Sequence, residues 1–549
     1  MADVMAPRWN PGGRGSSPTG WRRGLMLTAV CLSLVLVMAG VAMLNLALPA
    51  ISVDLGASQA EQQWILDSYT VALAGLLLPF GALGDRYGRR LLLLAGVAIF
   101  GVAAAASVVA DTTWLLVVLR ATSGAGAAMI LPATLATITS VYPAQERAKA
   151  VGVWAGFMGI GGILGLLVAG FLLEHFWWGS LFVFTGAAAG MALLLSWLMV
   201  PDTKDPSHAH LDPAGAVLSL IGIGALVLSI IEGPSRGWTD VVTLGAFIGG
   251  ALAIAAWGRW SLRTDKPLLD FHLFAIPSFL AGSVSLFVQF MVLFGLILVV
   301  IQYLLMILGY GTLMAALSLA PAGVAIMPVA IVAGHVAQRF GQRSLGVVGL
   351  FTAAVGFILL ARMSIGSSYW HLFAGLVVAG LGIGLAMTPA TNAIVDSLPP
   401  AKQGVASAVN DVARELGAAF GIAVLGSAFN AGYRNAIAPA LVGLPPDAGD
   451  AARDSPVVAL GVAEQLGERG VTLVGATREA FMTGTRQAMA MGAVVLVGGA
   501  VLVAWRAPRP ADDPAVREPG ASAREGDGSR WRTPRFRGSC CGGREGGSR

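Results

Sequence analysis

Fourteen apolar stretches occupy most of this 549-residue chain, each about long enough to cross a lipid bilayer. A hydrocarbon core roughly 30 Å thick needs about 20 apolar residues wound as a helix. By that measure the spans run over residues 26–48, 64–83, 91–110, 114–138, 151–173, 178–200, 213–231, 241–257, 279–301, 313–333, 345–361, 370–395, 405–429 and 488–505. Composition agrees, since 56% of residues are hydrophobic, 12% are charged and the mean hydropathy is +0.75. A chain of this kind cannot solvate itself as one water-soluble globule. The expected fold class is an all-α polytopic membrane protein with fourteen transmembrane helices.

A repeat organises these spans. The turn GALGDRYGRR, residues 81–90, joins the second and third, and GHVAQRFGQR, residues 334–343, joins the tenth and eleventh. The second copy keeps Gly81, Arg86, Gly88 and Arg90 as Gly334, Arg339, Gly341 and Arg343. The offset is eight spans, so spans one to six match spans nine to fourteen, and spans seven and eight become an inserted pair. Two similar halves of six helices are the plan of a transporter that carries its substrate near the membrane midplane and rocks one half against the other. Within the turn, Gly81 and Gly88 permit close backbone approach. Asp85 lies before the third span, where a carboxylate complements a helix N-terminus and can hold a nearby arginine. Asp85 with Arg86, Arg89 and Arg90 therefore reads as a gating latch, the simpler alternative being topology control. The second copy has Gln338 in place of Asp85.

Arginine and lysine set the orientation. Arg8, Arg14, Arg22 and Arg23 precede the first span, and every second loop is basic, so both termini are expected in the cytoplasm. The expected organisation is a cytoplasmic N-terminal segment at 1–24, a six-helix bundle at 25–200 and a linker with two inserted helices at 201–265. A second bundle follows at 266–506, including a long extracytoplasmic loop at 430–487, with a disordered cytoplasmic tail at 507–549. The net charge of +5 is ascribed to topology and contact with anionic lipid rather than to nucleic acid. The three cysteines, with Cys31 in the first span and Cys540 and Cys541 in the tail, form neither a disulfide framework nor a metal site.

Ionisable residues at membrane depth are costly and so mark function. Asp67, Arg120, Asp411, Arg414 and Glu415 fall inside the spans. Glu415 lies about 15 Å into span thirteen at 1.5 Å per residue, and Asp411 is one turn earlier on the same face. Two carboxylates in a poorly hydrated cavity can exchange a proton for a cation. Alternatively Arg414 neutralises Asp411 in an ion pair. Asp67 and Arg120 enter from the opposite side of the membrane and can pair as an outer gate.

These features together resemble the fourteen-span drug:proton antiporter group of the major facilitator superfamily. The turn at 81–90 matches the superfamily's signature loop. VLRATSGAGAA at 118–128 resembles its fourth-helix motif with a buried arginine, here Arg120, and ASAVNDVARELGAAFGIAVLGS at 406–427 resembles a stretch carrying acidic residues at the places of Asp411 and Glu415. The resemblance implies a major facilitator fold and proton-coupled efflux of amphipathic, cationic drugs or antibiotics. Proton-coupling or substrate roles then fall on Asp67, Arg120, Asp411 and Glu415, and gating on Gly81, Asp85, Arg86, Gly88, Arg89 and Arg90. Two places depart from the pattern. Gly40 and Ala42 stand where the first span of the family has Asp and Thr, which predicts that Gly40 faces the substrate path. Gly162 and Leu166 stand where the fifth span has prolines, and the glycines there are ascribed to close helix packing.

No phosphate-binding glycine loop, metal-ligand cluster or activated nucleophile is present in the sequence, so no catalytic residue, metal or cofactor is expected. His208 and His210 form no ligand set. The expected partners are a small amphipathic substrate, protons and membrane lipids, with a monomeric protein. A transporter of one specific metabolite and a non-transporting receptor or scaffold stand as alternatives.

Overall fold

The computed structural model describes residues 20–202, 212–398, 402–442, 444–465 and 468–507. Most of the N-terminal segment, the tail, and the loop with Lys204, His208 and His210 lie outside the described residues. Among the described residues sixteen α-helices form and no strand. Fourteen of the helices are long and apolar enough to cross a membrane. The first six are α1 (Gly20–Leu55), α2 (Gln59–Tyr87), α3 (Arg89–Ser107), α4 (Thr113–Val141), α5 (Ala144–His175) and α6 (Ser180–Met199). The inserted pair is α7 (Pro213–Arg236) and α8 (Val241–Ser261). Then come α9 (Pro277–Met306), α10 (Thr312–Phe340), α11 (Gln342–Ala361), α12 (Tyr369–Val395) and α13 (Gln403–Ile437), two short helices α14 (Pro446–Asp454) and α15 (Pro456–Gln465), and α16 (Glu468–Arg506).

The helices start where sequence chemistry allows. Ser58 and Glu61 form a reciprocal capping box at α2, Thr112 caps α4, and Asp240 caps α8. Asp212 caps α7, which has Pro213 in its first turn. The same carboxylate accepts bonds from the Trp260 indole at the end of α8 and from the backbone of Leu268 before α9. One buried aspartate thus fixes both ends of the inserted pair.

Several helices outrun their apolar stretches. Residues 430–487, expected as a loop, are largely helical: α13 continues to Ile437, α16 begins at Glu468, and α14 and α15 lie between. Hydropathy marks only the part of a helix that needs lipid around it. The turns holding Arg434 and Arg478 fall below any apolar threshold, yet their backbone still closes its bonds as helix.

The two halves are built alike. In the first, α1 packs on α5 and α6, α2 on α4, and α3 on α4 and α6; in the second, α9 packs on α13 and α16, α10 on α12, and α11 on α12 and α16. Across the halves α2 meets α13 and α5 meets α10. Both seams rest on small residues. A Cβ at Gly81 would stand 2.6 Å from the Gly404 carbonyl oxygen, one at Gly334 2.5 Å from that of Ala148, and one at Gly152 2.6 Å from that of Ala330. Helices this close gain dispersion contacts that lipid tails cannot match. The inserted α7 leans on α2 and α13, and α8 leans on α7.

Glycines of the fifth helix serve packing too. Gly161 and Gly165 press on Met38 and Ala39 of α1, whereas Gly162 has nothing near its Cβ direction. Gly40 departs from expectation. Its Cβ direction points at the Phe100 ring, 3.1 Å away on α3, so this position faces the interior of its own bundle and not a path between the halves.

Replacing Gly152 by Leu should overpack the α5–α10 seam and cost about 1–3 kcal/mol. Gly190→Leu serves as the control, because that glycine is exposed and nothing lies within 4 Å of its Cβ direction. Thermal unfolding in detergent should show a clear fall in Tm for Gly152→Leu alone; equal melting would mean that the seam does not hold the halves.

Candidate functional site

Three polar groups cross the bundle interior, and the first is the turn after α2. Gly88 and Gly341 end α2 and α10 with φ of 113° and 84°, a left-handed geometry that glycine adopts at little cost. Arg86 and Arg339 lie over the adjacent Tyr87 and Phe340 rings, at 5.5 and 5.8 Å. Arg90 donates to the Trp197 carbonyl near the end of α6, and Arg343 to the Ala504 carbonyl near the end of α16. The two copies of the turn therefore do the same structural work in each half.

Asp85 breaks that symmetry. It is 5% exposed, and Arg89 donates to its Oδ1 through Nη2 at 3.0 Å and Nε at 3.3 Å. Arg89 Nη1 donates to the Ala136 carbonyl of α4 at 3.2 Å. The same aspartate reaches the other half, where Gly404 N–H donates to Oδ1 at 2.8 Å and Val405 N–H to Oδ2 at 3.1 Å. These are first-turn donors of α13, whose own N-cap, Lys402, supplies no side-chain bond. Asp85 thus caps α13 from across the interface, and its charge complements the positive end of that helix. Residue 404 must be glycine, since a Cβ there would stand 2.8 Å from the Asp85 carboxyl carbon. At the same end of the bundle Arg147 pairs with Asp396 across the halves at 3.6 Å.

The second group lies about 12–17 Å along α13 at 1.5 Å per residue. Arg414 Nη1 donates to Asp411 Oδ1 at 3.1 Å, and Asn410 Nδ2 to the same oxygen at 3.4 Å. Both charged residues are buried. The guanidinium stands 4.7 Å from the Trp154 ring centroid of α5 and 4.8 Å from that of Phe290 of α9, which replaces lost hydration by cation–π contact. Trp154 is fixed by donating to Thr134 Oγ1 of α4 at 3.0 Å. Asp411 Oδ2, Arg414 Nε and Nη2 and Asn410 Oδ1 are buried without a hydrogen-bond partner among the described residues. Glu415 is half-buried and lies outside this ion pair.

The third group is Arg120 with Asp67, and it is not an ion pair. Arg120 is buried with its guanidinium 4.4 Å from the Tyr69 ring centroid, and its Nε donates to the Ile65 carbonyl at 3.4 Å. Residues 65 and 69 share one face of α2, while residue 67 is about 200° around the helix from 65. Helix rotation thus separates the two groups. Asp67 is 8% exposed, accepts a hydrogen bond from Gln63 and has Glu232 of α7 as an electrostatic neighbour; its Oδ2 has no hydrogen-bond partner among the described residues. Glu232 is 3% exposed and pairs with Arg236 one turn on. The apolar reading of span seven stopped at Ile231 and missed Glu232, although an acid ending an apolar run was the signal for it. Tyr69 was missed as well. Its hydroxyl is buried and unpartnered among the described residues, with Arg120 and Glu415 as its electrostatic neighbours.

Three substitutions probe these groups. Asp85→Asn removes the charge that caps α13, so spin labels at Tyr87 and Lys402 should report a second, longer distance in a resting population that otherwise shows one. Arg414→Met should cost about 3–5 kcal/mol by stranding a buried carboxylate. Adding Asp411→Asn to Arg414→Met should recover most of that loss in unfolding measurements, and no recovery would separate the two residues energetically.

The chain matches the Major Facilitator Superfamily over residues 30–422. It is 35% identical over 485 residues to the multidrug efflux pump LfrA of Mycolicibacterium smegmatis, covering 88% of this chain and 96% of that protein. It is 33% identical over 417 residues to the methyl viologen resistance protein SmvA of Salmonella typhimurium, covering 74% and 82% respectively. For the puromycin resistance protein pur8 of Streptomyces alboniger the identity is 32% over 413 residues, covering 74% and 81%. Among solved structures, the human organic anion transporter MFSD10 has a TM-score of 0.57 at 15% identity, covering 88% of this chain and 99% of that one. The proton:xylose symporter XylE has a TM-score of 0.56 at 15% identity, covering 89% and 96%. At such identities these two structures speak to fold alone. With a match across most of its length and relatives at a third identity, the chain belongs to the Major Facilitator Superfamily.

Proposed function

We propose that this protein exports amphipathic cations, drugs or antibiotics among them, across the cytoplasmic membrane in exchange for protons, with both termini in the cytoplasm. The observation that carries the reading is the charge balance on α13. Asp411 and Arg414 cancel each other at 3.1 Å, which leaves Glu415, half-buried at mid-depth, as the carboxyl able to trade a proton for a cation. A cation binding there would displace the proton, because one negative charge in a low-dielectric site cannot satisfy both. The names of the relatives, an efflux pump and two resistance proteins, favour export over uptake.

On this reading Asp411 positions Arg414, and Arg120 with Tyr69 holds the first half's side of the proton path. Asp67 is a buried carboxyl on the opposite face of α2, beside the inserted α7. The turn at Gly88 is the cytoplasmic gate, with Asp85 on the start of α13 as its latch. The protein acts as a monomer in the lipid bilayer, and its chemistry is that of a carrier.

Glu415→Gln keeps the side chain's size and removes its proton. In proteoliposomes with an imposed pH gradient, uphill ethidium transport should fall at least tenfold, while Tm stays within a few degrees and downhill ethidium exchange persists. Full gradient-driven transport by the folded variant would remove Glu415 from coupling.

A further inference from the structure

The bundle end opposite Gly88 carries a cleft of about 1310 Å³, above the roughly 300–1,000 Å³ usual for small-molecule pockets. Its walls come from both halves: the end of α1, the end of α5 with the turn after it, and the start of α10. Its two charged lining residues, Asp54 and Glu174, are both acidic. Phe176, Trp177 and Met314 supply large apolar surface that is 58%, 53% and 54% exposed. Neither the acids nor the rings belong to the groups along α2, α4 and α13 described above.

The cleft is held in shape. Trp178 Nε1 donates to Asp54 Oδ2 at 2.7 Å, which ties the end of α1 to the turn after α5. Trp177 packs edge-on against Trp178, with ring centroids 5.5 Å apart and planes at 75°, and Trp178 packs edge-on against Phe182 at 6.1 Å. Fixed aromatic faces beside carboxylates bind a soft organic cation well, because the ring quadrupole and the negative charges act in the same direction and little conformational freedom is lost. An anionic headgroup would meet two like charges.

We propose that this cleft is a second, outer binding site for lipophilic organic cations, separate from Glu415 and occupied as the substrate leaves. The assignment of the cleft to the outer face rests on the function proposed above. Its consequence is inhibition from that face: a cation at high outer concentration should fill the cleft and slow further release.

Tetraphenylphosphonium titrated calorimetrically into purified full-length protein in nanodiscs should reveal two classes of site. Asp54→Asn with Glu174→Gln should weaken one class at least tenfold, and Glu415→Gln should weaken the other. Met314→Lys places a positive charge at an exposed cleft position without touching either acid, and should abolish the same class as the double variant. In sided proteoliposomes, the tetraphenylphosphonium concentration on the outer face that halves ethidium export should rise at least tenfold in both cleft variants. If the wild-type protein exports ethidium yet Met314→Lys leaves both the binding classes and the outer-face inhibition unchanged, the cleft proposal is overturned while the exporter reading stands. If the wild-type protein neither binds nor exports either cation, the exporter reading itself fails.

Discussion

The first backbone N–H groups of α13 need partners, and one half of the protein supplies them to the other. A helix that starts inside a membrane protein cannot leave those donors to water, and Lys402 at its N-cap offers no acceptor. Asp85 fills the role with both oxygens while its charge is held by Arg89. Because α13 also carries Asp411, Arg414 and Glu415, whatever loosens the cap changes the footing of the polar site about 9–17 Å away along the same helix. A cap in trans is suited to a gate. It is worth enough to hold the halves together, since charge-assisted bonds are about twice as strong as neutral ones, yet it involves few enough bonds to break in a thermal step.

The rest of the interface follows from the same economy of contacts. In the seams between α2 and α13 and between α5 and α10, glycines such as Gly81, Gly152 and Gly334 bring the backbones together, with Met327 and Leu313 the larger side chains packed on glycines of α5. Aromatic residues sit around Arg414, where Trp154 of the first half and Phe290 of the second flank one guanidinium. That cation is shared by the two halves although it is bonded to a carboxylate on its own helix. Changing the charge at Glu415, its neighbour in sequence, would alter the field at the place where both halves meet, which is how a proton can bias a rocking motion.

Much of the architecture was legible because membrane helices declare themselves by length and apolarity, and because the repeated turn kept Gly88 and Gly341 at positions where the backbone demands them. The asymmetry of the turn was legible too, through Gln338 in the place of Asp85. Sequence could not give helix rotation. Asp67 and Arg120 looked able to pair from their depths alone, but two residues on a helix face away from each other, and Asp67 turned towards α7. Gly40 was misplaced for the same reason: motif alignment located it along α1 without saying that Phe100 stood in front of it. Glu232 and the extra turns of α13 and α16 escaped because charged residues end an apolar count long before they end a helix.

The inserted pair is the feature that neither half explains. Two helices preserve the orientation of the second half, as any even number would, and a lipid-facing spacer needs nothing more. The α8 helix fits that minimal role, with Val241, Leu252 and Phe247 exposed along it. The α7 helix does not. It packs on α2 of one half and α13 of the other, beside the two helices joined by the Asp85 cap, and it buries an acid near Asp67. In the cycle proposed above, a helix that touches both halves would have to slide on at least one of them as the gate opened. Gly224 facing Val71, and Gly75 against Leu220, give α7 and α2 the small-residue contact that permits this. Within α7, Glu232 pairs with Arg236 one turn on, and the same acid is an electrostatic neighbour of Asp67 on α2. In the export cycle proposed above, α7 would be the inserted element that stays in contact with both halves as they rock, through α2 on one side and α13 on the other.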